Sequence, residues 1–393
     1  MNRPEPGARR GFLRAACRHC VGLGALGLGA GWAQDAPEVT IPARFARPAL
    51  DSDEGGLWAA MDREEKRLRR SPLVVRDPAL GAYLHELVCR LSGEHCADVR
   101  VHVVRTAQFN ASMAPNGLMQ VWSGLLLRVD NEAQLAAVLG HEIGHYLERH
   151  VVERLRDLKN KSAAAMFVSM FGLPGALAGL GIAASAYGFS REQETRADKL
   201  GMQLLRRAGY DGREFPRVWD NLLAELKVTG GDDVGKRSVL FATHPPAGDR
   251  RDALLQIAGE GGKLGVDELE RVVAPHRMEW LQEEIRRGQF EESLELFNRK
   301  LQQRPDDPHF LFARGEIRRL RNTDEDLPPA LADLQRGAAV LKAPPEVFRS
   351  LGLLHKRREE PALAADAFDK YLVLAPEAGD AGLIKTYLKE LRP

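Results

Sequence analysis

Two histidines four residues apart bracket a carboxylate in the run His141-Glu142-Ile143-Gly144-His145. A helix advances about 100° per residue, so the two imidazoles fall within about 40° of each other and can grip a single cation. Zinc is the ion that such a histidine pair most often holds. Glu142, beside the first ligand, is placed to take a proton from water while the ion polarises a carbonyl, which is the chemistry of amide hydrolysis. Gly144 leaves room for a neighbouring element to pack beneath the metal. On the same helical arithmetic His150 lies about 140° from His145 and is expected to point elsewhere.

A catalytic zinc usually has three protein ligands and one open position. The third is expected from Ser190-Arg191-Glu192-Gln193-Glu194-Thr195-Arg196-Ala197-Asp198, which reads as a helix with Glu194 and Asp198 on one face. Glu194 completes the ligand set for one zinc ion. Asp198 is then free to accept the outer N–H of a ligating histidine, which fixes its tautomer. Glu192, turned about 200° from Glu194, faces solvent.

These residues need elements to hold them. Asp77-Pro78 starts a helix whose apolar positions, Leu80, Tyr83, Leu84, Leu87, Val88 and Leu91, recur at helical spacing. Val99 to Val104 and Leu118 to Leu127, separated by the turn-prone Pro115-Asn116-Gly117, predict two neighbouring strands. Asn131 caps the helix that carries His141 and His145, with Glu132 in its first turn. The uncharged stretch 163–188 contains Pro174 and several glycines, and is expected to form two packed helices or a hydrophobic flap beside the cleft rather than a membrane span. After about Val272 the chain turns to paired helices. Phe348, Leu351, Gly352, Ala364, Phe368 and Pro376 fall at the spacings of a tetratricopeptide unit, with weaker copies around Gly315, Ala330 and Leu334 and around Phe290, Leu294, Phe297 and Pro305.

At 393 residues the chain has room for a catalytic domain and one further module. Its 56 basic and 55 acidic side chains balance, which leaves no field to attract nucleic acid. Residues 1–33 read as an export signal, with Arg9, Arg10 and Arg14 ahead of a short apolar segment ending in Gly31-Trp32-Ala33 and a twin-arginine-like order. Cleavage near Ala33 leaves Cys89 and Cys96, a close pair in an oxidising compartment, and a disulfide between them is expected.

Together the motifs resemble the HtpX and Ste24-type zinc metalloprotease family, in its soluble periplasmic BepA-like branch with C-terminal tetratricopeptide repeats. The residues that carry the resemblance are Asn110-Ala111 with Pro115-Asn116-Gly117, the His141 to His145 run, Glu194 through Ala197-Asp198 and Gly201, and Thr243-His244-Pro245-Pro246. The resemblance implies a fold that is mainly α with a small β-sheet: a signal peptide at 1–33, a zincin-like metalloprotease domain at 34–270 and an α-helical tetratricopeptide-repeat domain at 271–393. It implies zinc-dependent endopeptidase activity in the periplasm on protein substrates such as misfolded or stalled outer-membrane proteins. The repeats would bind clients or the outer-membrane assembly machinery. By the same resemblance Asn110, Ala111, Pro115, Asn116 and Gly117 edge the substrate cleft. His244 comes near the metal, either filling the open zinc position or steadying the oxyanion, against the plainer role of ordering its loop. A zinc-stabilised chaperone or adaptor that cuts nothing is the competing class, and peripheral membrane contact is left open.

Overall fold

The computed structural model describes residues 38–157, 188–231, 239–244 and 248–392. The expected signal at 1–33 and nearly all of the 163–188 stretch lie outside the described residues. Pro37–Pro393 forms one compact unit. Among the described residues, no helix is long and apolar enough to cross a membrane.

The first part of this unit comprises α1 (Asp53–Arg69), α2 (Pro78–Ser92), β1 (Arg100–Val104), β2 (Ala111–Met113), β3 (Leu118–Trp122), α3 (Ser123–Arg128), α4 (Glu132–Leu147) and α5 (His150–Asp157). After the undescribed stretch come α6 (Arg191–Arg207), α7 (Glu214–Gly230), α8 (Val239–Thr243) and α9 (Gly248–Ile257). The remainder is helical: α10 (Val266–Val273), α11 (Arg277–Arg286), α12 (Phe290–Gln303), α13 (Pro308–Arg321), α14 (Leu327–Ala338), α15 (Pro345–Arg357), α16 (Pro361–Leu374) and α17 (Ala381–Leu391).

Asp77 caps α2 by accepting from the Ala79 and Leu80 backbone N–H groups, with Pro78 in the first turn. Leu80, Leu84, Leu87, Val88 and Leu91 form its buried face. Cys89 in its last turns is joined by a disulfide to Cys96 in the following 3-10 turn, with Cα atoms 4.6 Å apart. The bridge ties the end of α2 to the entry of β1. The sheet has the order β1-β3-β2, with β1 and β3 parallel from Arg100↔Leu118 to Val104↔Trp122 and β2 antiparallel to β3. Among the described residues β2 pairs with a strand on one side only.

The strand expected over Leu118–Leu127 ends at Trp122, and α3 takes its second half. An apolar run buried on every side cannot be told from a buried strand by periodicity alone. Here the tertiary contacts decide: Ser123 Oγ both accepts from the Thr106 N–H at 2.8 Å and donates to the Thr106 carbonyl at 2.9 Å. Gly124 sits so close to the Ala107 carbonyl that a Cβ would lie 2.2 Å from it.

Asn131 caps α4 by accepting from the Gln134 N–H at 2.9 Å, and every residue of α4 is buried. Helices after residue 270 stack in sequence, α12 on α13, α13 on α14, α14 on α15 and α15 on α16. Small residues permit this, since a Cβ on Gly352 would meet the Phe368 ring at 2.4 Å and one on Gly315 would meet Leu334 at 2.8 Å. This stack is joined to the first part by buried ion pairs. Arg128 on α3 reaches Glu225 on α7 and Glu284 on α11, both at 2.8 Å. Lys300 on α12 donates to the Val129 carbonyl at 2.7 Å and to Asp130 at 2.9 Å.

Candidate metal centre

α4 and α6 cross where neither carries a side chain that could hold them apart. A Cβ on Gly144 would lie 2.7 Å from the Ala197 carbonyl, and one on Gly201 would lie 3.0 Å from the His141 nitrogen. The close approach that glycine allows puts Glu194 and Asp198 directly against the histidines of α4. Ser190 begins α6 with a capping box shared with Gln193, so the helix starts one turn before Glu194 and fixes its direction.

The result is a buried cluster in which ligand atoms of His141, His145, Glu194 and His244 all lie within 4.8 Å of one another. His141 Nε2 is 3.1 Å from His145 Nε2 and 3.2 Å from His244 Nδ1. The Glu194 carboxylate is 3.5 Å from His141 Nε2, 3.4 Å from His145 Nε2 and 2.9 Å from His244 Nδ1. Zinc bonds of about 2.0–2.1 Å in a tetrahedron separate their donor atoms by about 3.3 Å. The observed spacings sit around that value, and the imidazole and carboxylate donors are those zinc takes. The residues present fit a zinc ion.

Each surrounding group serves this cluster. Asp198 Oδ1 lies 3.0 Å from His141 Nδ1, the nitrogen turned away from the ligand atoms. Arg250 on α9 spans both acids of α6: its Nη1 is 2.6 Å from Glu194 Oε2, and its Nε is 2.7 Å from Asp198 Oδ2. Glu142 points to the same space, with Oε1 buried, without a hydrogen-bond partner and 3.6 Å from His244 Nε2. The backbone N–H of Met113 on β2 faces the Glu142 carboxyl group and works against the effect of burial on it. β2 therefore borders the site.

Electrostatics follow from burial and from this packing. Burial raises the Glu142 carboxyl above the ordinary carboxylate range, against the pull of His244 and His141. Burial would raise Glu194 too, but His244 and His145 outweigh it and hold the group well below its usual range. Asp198 is likewise lowered, because His141 and Arg250 overcome the cost of burial. Burial holds His145 well below its usual value, whereas for His244 the attraction of Glu194 and Glu142 exceeds burial and raises it.

His150 does not point elsewhere. α4 ends at Leu147 and Arg149 takes a positive φ of 59°, so the helical arithmetic stops before His150 and a new helix begins there. The kink turns its ring back until His150 Nδ1 is 2.9 Å from His145 Nδ1. Burial and Arg196 push His150 down to about 4. As a neutral acceptor it is placed to take the outer N–H of His145, as Asp198 Oδ1, 3.0 Å from His141 Nδ1, is placed for His141. Phe189 stacks on His145 with ring centroids 4.0 Å apart.

Of the expected cleft-edge residues, Ala111 lies on β2, while Asn116 and Gly117 form a turn tied elsewhere. Asn116 donates to Asp62 on α1 at 2.8 Å, and the Gly117 carbonyl accepts from the Arg100 N–H at 2.9 Å. Gly117 has φ 85°, and a Cβ there would strike the Asp98 carbonyl at 2.0 Å. Arg250 and the role of His150 went unseen in the sequence. Two carboxylates on one buried helix face signal that a cation must be near, but not which one.

Residues 75–258 match the profile of peptidase family M48. Among curated relatives, the mitochondrial metalloendopeptidase OMA1 of Arabidopsis thaliana is 34% identical over 155 residues, covering 39% of this chain and 30% of that protein. The beta-barrel assembly-enhancing protease of Escherichia coli K12 is 28% identical over 199 residues, covering 46% of this chain and 39% of that protein. Its Yersinia pestis counterpart is 27% identical over 229 residues, covering 52% and 46%. The chain thus spans less than half the length of these relatives.

Proposed function

Residues 75–258 being a peptidase family M48 domain, we propose that this protein is a zinc-dependent endopeptidase. The observation that carries the reading is the convergence of His141, His145 and Glu194 beside the buried, unpartnered oxygen of Glu142. Zinc bound there would supply Lewis-acid polarisation of a peptide carbonyl and acidify water. Glu142 is placed to take a proton from an attacking water and to return it to the leaving amine. Asp198 and His150 hold the outer nitrogens of His141 and His145, and Arg250 holds the two acids of α6. An extended substrate adds along β2, where Asn110 and Ala111 lie.

His244 carries its Nδ1 into the ligand cluster, where it would compete with water for a bound ion and keep the resting site closed until a substrate or partner displaced it. The helices from 271 onward are read as tetratricopeptide repeats that hold clients or assembly machinery. With the export signal, and with relatives named for β-barrel assembly, the site of work is the periplasm and the substrates are misfolded or stalled outer-membrane proteins.

Glu142→Gln tests the reading against a zinc-stabilised adaptor. The variant should keep one zinc per chain and lose cleavage of an unfolded outer-membrane protein by about 10²–10⁴-fold. Cleavage equal to wild type in the variant would deny Glu142 its role, and no cleavage by zinc-loaded wild type or by zinc-loaded His244→Ala would reject the enzyme. His244→Ala should raise basal cleavage at unchanged zinc content, whereas a fall in rate would make His244 an oxyanion donor instead.

A further inference from the structure

A groove of about 540 Å³ runs along α1, between its second half, the segment 44–47 and the turn at Asn116. Five cations line it, Arg44, Arg47, Lys66, Arg69 and Arg100, against three acids, Asp62, Glu65 and Asp98. Each acid is already taken: Arg44 holds Asp98 and Arg47 holds Asp62, both at 2.6 Å, and Arg100 holds Glu65 at 2.7 Å. That leaves Lys66 and Arg69. They stand three apart on α1, about 60° from each other round the helix, so both can turn to one ligand. Both are exposed, and among the described residues neither has a carboxylate partner. A chain whose 56 basic and 55 acidic side chains nearly cancel thus keeps two spare positive charges in one recess, with Phe45 and Trp58 as its apolar part. The volume falls within the roughly 300–1,000 Å³ typical of ligand sites, and an anion there would meet no unpaired acid.

The groove is joined to the metal centre through two residues. Asn116, in its wall, belongs to the turn that leaves β2, and it is fixed there by donating to Asp62 at 2.8 Å and by accepting from Arg100 at its carbonyl at 3.0 Å. Phe45 is shared with a smaller recess whose walls include Met113, Pro115 and His145. A chain extended along β2 past Met113 toward Asn116 is therefore led from the metal ligands to the cations. At about 3.3 Å per residue, that stretch covers about 10 Å. We propose that the groove is an exosite that holds an acidic segment of the substrate, about three or more residues from the cut bond. Carboxylates only accept hydrogen bonds, and Lys66 and Arg69 only donate them, so an acidic side chain gains a charge-assisted bond from each. The cations lie in a recess, which suits an extended peptide better than a flat membrane surface. Acidic stretches flanking an unfolded segment are the feature this selects, and the attraction also speeds capture at low salt.

The inference rests on the endopeptidase reading, and the experiment reads cleavage and binding separately. The full chain, loaded with zinc, is given one cleavable peptide in versions that carry a short block of Asp, Asn or Lys to either side of the cut bond. On one side the Asp version should be cut with a kcat/KM about 10-fold above the Asn version, through KM at unchanged kcat, and the gain should vanish at high salt. Lys66→Glu/Arg69→Glu, at two exposed positions, should keep its zinc and reverse the order, so that the Lys version is preferred. Binding of the Asp version to zinc-loaded Glu142→Gln, followed by fluorescence anisotropy, reads the groove without cleavage and should be lost in the same charge reversal. Equal KM for the Asp and Asn versions, or an order unchanged by the charge reversal, overturns the exosite and leaves the protease standing. Loss of binding to phosphatidylglycerol vesicles in the reversed variant, with every peptide KM unmoved, overturns it in favour of a membrane contact. If neither wild type nor His244→Ala cuts any version, the endopeptidase falls, while peptide binding that follows the charge reversal still upholds capture of an acidic segment.

Discussion

Arg128→Met removes the guanidinium that joins α3 to α7 and α11. Arg128 is 4% exposed, and it donates to Glu225 and Glu284 at 2.8 Å each and to the Ala107 carbonyl at 2.9 Å. Breaking a buried ion pair by deleting one partner costs about 3–5 kcal/mol, because the other charge is left in a low dielectric. Here the penalty is at the low end. Glu225 keeps Arg299 at 2.8 Å, and Glu284 keeps Arg287 at 2.8 Å and the Ser293 hydroxyl at 2.6 Å. Methionine also refills most of the volume of the arginine stem. The expected loss is about 3 kcal/mol, read as a fall in the guanidinium midpoint at unchanged slope, with circular dichroism as the probe. Arg128→Met/Glu284→Gln should recover part of that loss, since the second change removes a stranded charge. A loss below about 0.5 kcal/mol would show that the three charges are not a buried link between the two parts of the chain.

Arg250→Ala should weaken zinc about 10- to 100-fold in a chelator competition, because Glu194 and Asp198 lose the group that orients them; unchanged affinity would deny it that role. Gly144→Ala drives a methyl into the Ala197 carbonyl, and should cost about 1–3 kcal/mol of stability and reduce zinc retention together. Glu65 is held down to about 2, since hydrogen bonds from His102 and Arg100 overcome the effect of burial. Its folded value being depressed, its contribution to stability is complete above about 4.5 and fades as pH falls toward 2. Arg100 is partly exposed, so about 1–2 kcal/mol is expected after solvent screening, and Glu65→Gln should flatten acid unfolding between pH 4.5 and 2 by that amount.

The centre was legible where its geometry is local. His141 with His145 and Glu194 with Asp198 are pairs four apart on single helices, and helical rotation alone puts each pair on one face. That α4 and α6 meet at Gly144 and Gly201 was half visible, since a glycine in a helix interior weakens the helix and implies a close neighbour. His150 was misplaced because its position depends on the positive φ at Arg149, a residue type that gives no warning of such a turn. Arg250 was invisible because its partner Asp198 lies 52 residues away, across a contact that only the folded chain makes. The strand-to-helix change after Trp122 eluded the pattern for a related reason: residues 118–128 are buried on all sides, so neither period is imprinted on them.

The account turns on one zinc ion held by α4 and α6. Crystals of the zinc-loaded protein, measured on both sides of the zinc absorption edge, test this directly. A single anomalous peak within about 2.0–2.2 Å of His141 Nε2, His145 Nε2 and a Glu194 carboxylate oxygen is the predicted result. A peak elsewhere, or none in protein that carries one zinc by mass spectrometry, would contradict it.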